Sequence, residues 1–318
     1  MTTRRGLLSG LSAAALGIPL GITASRSQAE PTKLVRVGFQ KGEPILLAAK
    51  QQRTLETLFA PDGIAVQWIE FQFGPPMLEA MRVGSIDIGA VGDTPPVFAQ
   101  AAHGDLLYIA AQRAGGQAIL VPPGSTLQTL QDLRGKKIAF GRGSSAHNLT
   151  IAALEKAGLA YTDVQPVYLG PADAGPAFER GAIDAWTIWD PYYALFEDRP
   201  GVRTLVKWTD IVEQNSFFMA SRPFVEANPK LTQRLVATFG SIADWARGHR
   251  PEMAQALADA TGVSLAALQR SVDRAAIVVM PMDDAITRSQ QAVADRFRKV
   301  GLLPVDVNVR EEVWRAGA

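Results

Sequence analysis

The chain has 318 residues, 47% hydrophobic and 20% charged, which is enough apolar content for one large domain or two ordinary ones and excludes a disordered or fibrous protein. Lysine and arginine number 32 against 31 acids, a formal charge of +1, so no global basic field gathers phosphates and nucleic acid is not an expected partner. The absence of cysteine removes disulfides, thiolate metal sites and Cys nucleophiles, and His103, His147 and His249 are too few for a histidine-rich metal cage, so neither metal nor cofactor is expected.

Residues 1–29 read as an export signal. Arg4 and Arg5 precede Leu7 and Leu8, a mildly apolar run reaches Ile22, and Ser27-Gln28-Ala29 forms a small-x-small cleavage site that would start the mature chain at Glu30. The order Thr3-Arg4-Arg5-Gly6-Leu7-Leu8 resembles the twin-arginine signal, whose substrates cross the inner membrane folded, so the expected location is a bacterial periplasm. A membrane anchor is the weaker reading: Ser9, Gly10, Gly17, Pro19 and Gly21 interrupt the run, which falls short of the ~20 strongly apolar residues of a span. Removing the segment takes three arginines and no acid, turning the formal +1 into −2.

From Lys33 onward short β-branched runs alternate with longer helical ones. Strands are predicted at Leu34–Phe39, Val66–Phe71, Ile86–Val91, Leu106–Ala111, Ala118–Val121, Lys137–Phe140, Val167–Leu169, Ile183–Ile188, Val202–Trp208 and Phe217–Ala220. After Pro223 the apolar spacing turns helical, as in Leu231, Leu235, Phe239, Ile242 and Trp245. The pattern is that of α/β layers around largely parallel sheets, with a helical C-terminal third.

The chain also repeats itself weakly. One copy runs Phe39-Gln40-Lys41-Gly42, helix, strand, Gly74-Pro75, helix, Gly84-Ser85-Ile86-Asp87, and ends at Asp93. The other runs Phe140-Gly141-Arg142-Gly143, helix, strand, Gly170-Pro171, helix, Gly181-Ala182-Ile183-Asp184, and ends at Asp190. Phe to terminal Asp spans 54 residues in one and 50 in the other. Two α/β units of one plan imply two lobes with a ligand cleft at the carboxyl ends of their strands. The first lobe is placed at residues 30–115, completed by 220–318, and the second at 116–219. The chain is expected to cross between them, as a hinge, near Gly115-Gly116 and again near Ser221–Pro223. Cleft loops are predicted at Gln40–Pro44, Gly92–Pro95, Gly141–His147 and Trp189–Tyr193.

The segments Gly74-Pro75-Pro76-Met77-Leu78-Glu79-Ala80, Gly92-Asp93-Thr94-Pro95-Pro96-Val97-Phe98, Gly143-Ser144-Ser145-Ala146-His147-Asn148-Leu149 and Asp184-Ala185-Trp186-Thr187-Ile188-Trp189-Asp190-Pro191-Tyr192-Tyr193 carry a resemblance that covers essentially the whole mature chain. They resemble the aliphatic sulfonate (alkanesulfonate) binding proteins, periplasmic components of ABC importers in the nitrate, sulfonate and taurine group. The resemblance implies a periplasmic binding protein type II fold and a non-catalytic monomeric receptor. Its expected partners are a small alkanesulfonate and an ABC transporter membrane permease, with sulfur acquisition as the purpose. Taurine, nitrate or a thiamine precursor is the alternative cargo, and an enzyme on the same fold, using Asp93, His147 or Lys41, is the competing class.

A sulfonate has three acceptor oxygens and no donors, so its site needs N–H and O–H groups. The Gly141–Asn148 segment turns from a strand into a helix start, where backbone amides face an anion; Gly92 to Thr94 do the same from the other lobe. Gln40 donates through its amide, and Thr94, Ser144 and Ser145 through hydroxyls. Ser144 and Ser145 also suit plain helix capping. His147 reads first as a satisfied structural histidine, neutral at a helix start, and the family motif adds it to the candidates. Asp93 and Asp190 each precede a helix start with proline and are read as caps, Asp93 with access to a hydroxyl or ammonium on the ligand tail. Lys41 and Arg142 occupy matched places in the two copies and are read either as attracting anions or as solvated surface. For the tail, Trp189 is the expected wall among Trp186, Tyr192, Tyr193, Phe217 and Phe218. The run Gly141-x-Gly143-x-x-Ala146 mimics a dinucleotide fingerprint, but Asp163 precedes the next strand where it should end it, so no nucleotide is expected.

Overall fold

The computed structural model describes residues 32–316, so the expected export signal lies outside the described residues. In chain order the elements are β1 (Leu34–Phe39), α1 (Pro44–Gln51), α2 (Thr54–Phe59), β2 (Ala65–Glu70), α3 (Gly74–Arg82), β3 (Ile88–Gly92), α4 (Thr94–Ala101), β4 (Leu106–Arg113), β5 (Gln117–Val121) and β6 (Lys137–Phe140). There follow α5 (Ser145–Lys156), β7 (Gln165–Tyr168), α6 (Pro171–Glu179), β8 (Ala185–Trp189), α7 (Tyr192–Glu197), β9 (Arg203–Lys207) and β10 (Asn215–Ser221). The C-terminal part is α8 (Arg222–Ala227), α9 (Pro229–Gly248), α10 (Arg250–Thr261), α11 (Leu265–Arg274), β11 (Val279–Met280) and α12 (Asp284–Lys299). Among the described residues no helix is long and apolar enough to cross a membrane.

Two sheets result, one of six strands in the order β11-β4-β10-β3-β1-β2 and one of five in the order β7-β6-β8-β5-β9. The trios β2-β1-β3 and β7-β6-β8 are both parallel, and each is continued by an antiparallel strand, β10 in one sheet and β5 in the other. The repeated Gly-x-Ile-Asp element is the device that joins helix to sheet in both trios. Gly84 and Gly181 take φ of 74° and 66°, a left-handed turn that favours glycine, and Ile86 and Ile183 are buried. Asp87 and Asp184 then accept from the backbone N–H of Arg36 in β1 and Lys137 in β6, both at 2.7 Å, and their own N–H groups donate back to the same residues.

The chain passes from the first sheet to the second between Arg113 and Gln117 and returns between Lys207 and Asn215. The return was expected near Ser221–Pro223, with the second lobe ending at residue 219, which placed Phe217–Met219 in the second lobe. Instead β10 pairs with β3 from Ser216 to Ala220 and with β4 from Asn215 to Ser221, closing the middle of the first sheet. A strand that sits centrally in a sheet far from its sequence neighbours gives no local sign of its sheet.

The core divides accordingly. One face of the first sheet packs under α1, α9 and α10 with Phe218 stacked on Phe239 at 4.4 Å between centroids; the other packs under α3, α4 and α12. The second sheet carries α5 on one face and α6 with α7 on the other. The two α/β lobes and the cleft between them are the architecture expected for the fold class.

Candidate functional site

At the carboxyl ends of β1, β3, β6 and β8 the lobes enclose a cleft of about 1000 Å³, open solvent at its mouth included. Gln40 through Pro44, Gly92, Ser144, Ser145, Trp189 and Asp190 all line it. Thr94, Asp93 and His147 do not.

The donor end is built on the start of α5. Ser144 stands at the N-cap, but its Oγ donates backwards to the Gly141 carbonyl at 2.7 Å, so the first turn has no side-chain cap. The amides of Ser145 and Ala146 therefore keep the free N–H groups that every helix start carries. Ser145 is half-buried and lines the cleft; no hydrogen bond among the described residues occupies its Oγ. Gly92, at the end of β3, approaches it so closely that a Cβ there would stand 2.8 Å from the Ser145 Cβ and 2.9 Å from its Oγ. Gln40 spends one amide hydrogen on the Ala90 carbonyl at 2.8 Å.

Three expected site residues are committed elsewhere. The Thr94 hydroxyl is buried and donates to Asp93 Oδ1 at 2.9 Å. Asp93 does not cap α4. Its Oδ2 accepts from Asn148 Nδ2 of α5 at 2.6 Å and from Gln214 Nε2 at 3.0 Å, which ties the lobes together. Burial pushes its carboxyl pKa up against the pull of these donors. His147 lies under Phe140, stacked at 4.6 Å; its Nδ1 accepts from Gly143 N–H at 3.2 Å, which leaves the proton on Nε2, 3.0 Å from the Tyr161 hydroxyl. Burial first, and the Arg142 charge second, push its pKa down to about 3.

Asp190 does cap, accepting from Ala194 N–H of α7 at 3.0 Å, and its other oxygen faces Arg274 Nε of α11 at 3.5 Å. Burial pushes its pKa up to about 7. The Lys41 ammonium donates to the Thr261 carbonyl at 3.2 Å, and Arg142 is exposed over the Tyr168 ring.

Of the aromatic candidates Trp189 alone lines the cleft. Trp186 packs on Phe178 and Phe196, Tyr193 is buried under the Arg274 guanidinium, Tyr192 packs partly buried against the same core of the second lobe, and Phe217 and Phe218 are core of the first sheet. Most of the wall comes instead from Leu257 of α10, Leu268 and Val272 of α11, and Ile277, with Phe73 before α3. Sequence reasoning missed these, along with Gln112, Gln117 and Ser216. The spacing Leu265, Leu268, Val272 marks an apolar helix face but says nothing about whether core or cleft lies opposite.

The two-lobed α/β arrangement around a cleft at strand ends defines a ligand-binding protein of the periplasmic binding type. Its kinship is specific. The NMT1-like family model matches residues 28–262. A putative aliphatic sulfonates-binding protein of Escherichia coli K12 is 40% identical over 295 residues, 92% of each chain. The alkanesulfonate-binding protein SsuA from Xanthomonas axonopodis pv. citri, solved bound to MOPS, is 39% identical with a TM-score of 0.85 over 91% of this chain and 100% of that one. The periplasmic aliphatic sulphonate binding protein SsuA from Escherichia coli is 40% identical with a TM-score of 0.81 over 89% of this chain and 92% of that one. The chain belongs to the NMT1-like family and, within it, to the aliphatic sulfonate-binding proteins.

Proposed function

We propose that the protein is a periplasmic receptor that closes on an alkanesulfonate and delivers it to an ABC permease, without chemistry of its own. The observation that carries this reading is the division of the cleft. Uncapped amides and a free Ser145 hydroxyl at the start of α5 suit an anionic head, and the aliphatic wall from α10 and α11 suits an apolar tail. The names borne by relatives of 40% identity support the same cargo. Neutral donors hold an anion reversibly, since release strands no buried counter-charge. The acid/base residues an enzyme would use speak against catalysis: Asp93 and His147 are spent outside the cleft, and Lys41 is bound to a carbonyl. Gln40, Gly92, Ser144, Ser145 and Trp189 are the proposed ligand contacts. Export is proposed to run through the Arg4-Arg5 signal.

Isothermal titration of the purified protein, unfolded and refolded to strip carried ligand, tests the reading in a sulfonate-free buffer. One-site binding of ethanesulfonate and octanesulfonate with little response to sulfate or nitrate is expected. Preference for nitrate or sulfate would replace the cargo, and silence to every sulfonate would end the receptor reading. Ser145→Ala and Trp189→Ala should each weaken binding about tenfold or more, given ~1.5–3 kcal/mol for a hydrogen bond to a charged group and a similar value for a buried aromatic contact. Unchanged affinity in both would move the site.

A further inference from the structure

The fold leaves two buried acceptors without donors at the end of the cleft where β5 and β8 meet. Gln117 opens β5 directly opposite Trp189; it is 3% exposed and lines the cleft, and its Oε1 has no partner among the described residues. Asp190 follows β8, is 5% exposed and lines the same cleft; its Oδ1 caps α7, while its Oδ2 has no hydrogen-bond donor among the described residues. Arg274, with Nε 3.5 Å from that oxygen, is paired with Glu197 through Nη2, and its Nε donates to the Arg270 carbonyl. By contrast, Glu43, the other acid lining the cleft, is fully engaged by Ile45 N–H, Leu46 N–H and Gln112. An unpaired buried acceptor is costly, and two at one end of a ligand cleft are relieved by a donor that the ligand brings.

Topology separates this end from the anion end. The strands β6, β8 and β5 are consecutive neighbours, and α5 begins just beyond β6. Gln117 therefore lies two strands away from β6, whose end leads through Gly141–Ser144 into the α5 amides. The charges at this corner are also unbalanced, with Arg270 and Arg274 facing Asp190, Glu197 and Asp198. Gly116 lets this corner pack, because a Cβ there would stand 2.3 Å from both Asp190 Oδ2 and Arg274 Cδ.

We propose that the β5–β8 end of the cleft is a second polar subsite, in which Gln117 Oε1 and Asp190 Oδ2 accept hydrogen bonds from a donor, ammonium or hydroxyl, at the far end of a sulfonate's tail. The proposal rests on the sulfonate reading and deepens it. The preferred ligand is an ω-amino- or ω-hydroxyalkanesulfonate whose chain lies along the Leu268–Val272 wall, and Gln117 and Asp190 are specificity-determining residues.

Titration calorimetry with n-alkanesulfonates of three to six carbons and their ω-hydroxy and ω-amino counterparts, in sulfonate-free buffer at pH 8, tests it. At one chain length a donor-bearing ligand should bind about tenfold more tightly than its plain counterpart, a difference of ~1.4 kcal/mol, and the two arms identify the donor. Gln117→Leu and Asp190→Asn should bring that ratio towards one while leaving plain alkanesulfonate affinity within threefold. Asp190→Asn keeps an oxygen for Ala194 and carries the test should Gln117→Leu not fold. Equal binding of plain and substituted chains at every length, or a ratio that survives the substitutions, overturns the subsite. Failure of every sulfonate to bind overturns the sulfonate reading and the subsite with it.

Discussion

His147 shows how burial settles the role of a residue whose sequence context allows two. It sits in the first turn of α5 two residues from Ser145, yet its ring is stacked on Phe140, held by Gly143 N–H and hydrogen-bonded to Tyr161. Its pKa is depressed to about 3, so the folded protein resists protonating it. A group lowered in this way contributes stability that is present above the unfolded value of about 6.5 and lost as pH falls towards 3. His147→Gln should therefore flatten the acid limb of the stability curve, with the loss between pH 7 and 4 reduced by on the order of 3 kcal/mol relative to wild type. Asp190 works in the opposite sense. Its pKa, raised to about 7, makes its contribution present below about 3.8 and lost as pH rises through 7, so Asp190→Asn should steepen the net loss on acidification. Thermal midpoints of both variants and wild type across pH 4 to 8 check the two signs together; parallel curves for all three would refute both.

At the scale of elements, the turns β3–α4 and β6–α5 face one another, and glycine at position 92 is what lets them do so. Gly92→Ala would place a Cβ 2.8 Å from the Ser145 Cβ, so the lobes could not reach their present separation. The expected result is a larger loss of ligand affinity than Ser145→Ala produces, with a thermal midpoint close to wild type; titration and thermal melts of the two variants decide. Much of this scale was legible in the sequence. All ten predicted strands exist within a few residues of their expected ends, because buried β-branched runs and Gly or Pro boundaries are local signals. The repeat was legible because Gly84 and Gly181, with Asp87 and Asp184, perform the same turn and the same backbone bond. The sheet to which β10 belongs was not, nor the two-residue β11, nor the turn of α11 towards the cleft, since each is decided by partners distant in the chain. For the same reason the acids at the ends of the two repeats were misjudged in part: Asp93 looks like a cap until Asn148 arrives from the other lobe.

In the whole molecule, the C-terminal helices grip the second lobe on both sides of the cleft. On one side Arg270 and Arg274 of α11 hold Glu197 and Asp198 at the end of α7. On the other, Arg296 of α12 donates to Glu155 at 2.9 Å and to Asn148 Oδ1 at 2.7 Å, and Asn148 passes the connection to Asp93. Each of these bonds joins one lobe to the other, so the set favours the arrangement of the lobes seen here before ligand contributes anything. Apparent affinity falls in proportion to the fraction of molecules able to close. Arg296→Met keeps the apolar stem and removes both bonds without altering a proposed ligand contact. It should raise the radius of gyration of the ligand-free protein in small-angle scattering and weaken ligand binding by the same factor by which the closed fraction drops. Saturating ligand should restore the wild-type radius. An unchanged radius together with unchanged affinity would show that closure is set by the ligand alone. A larger radius with unchanged affinity would mean that the α12 contact shapes only the empty protein.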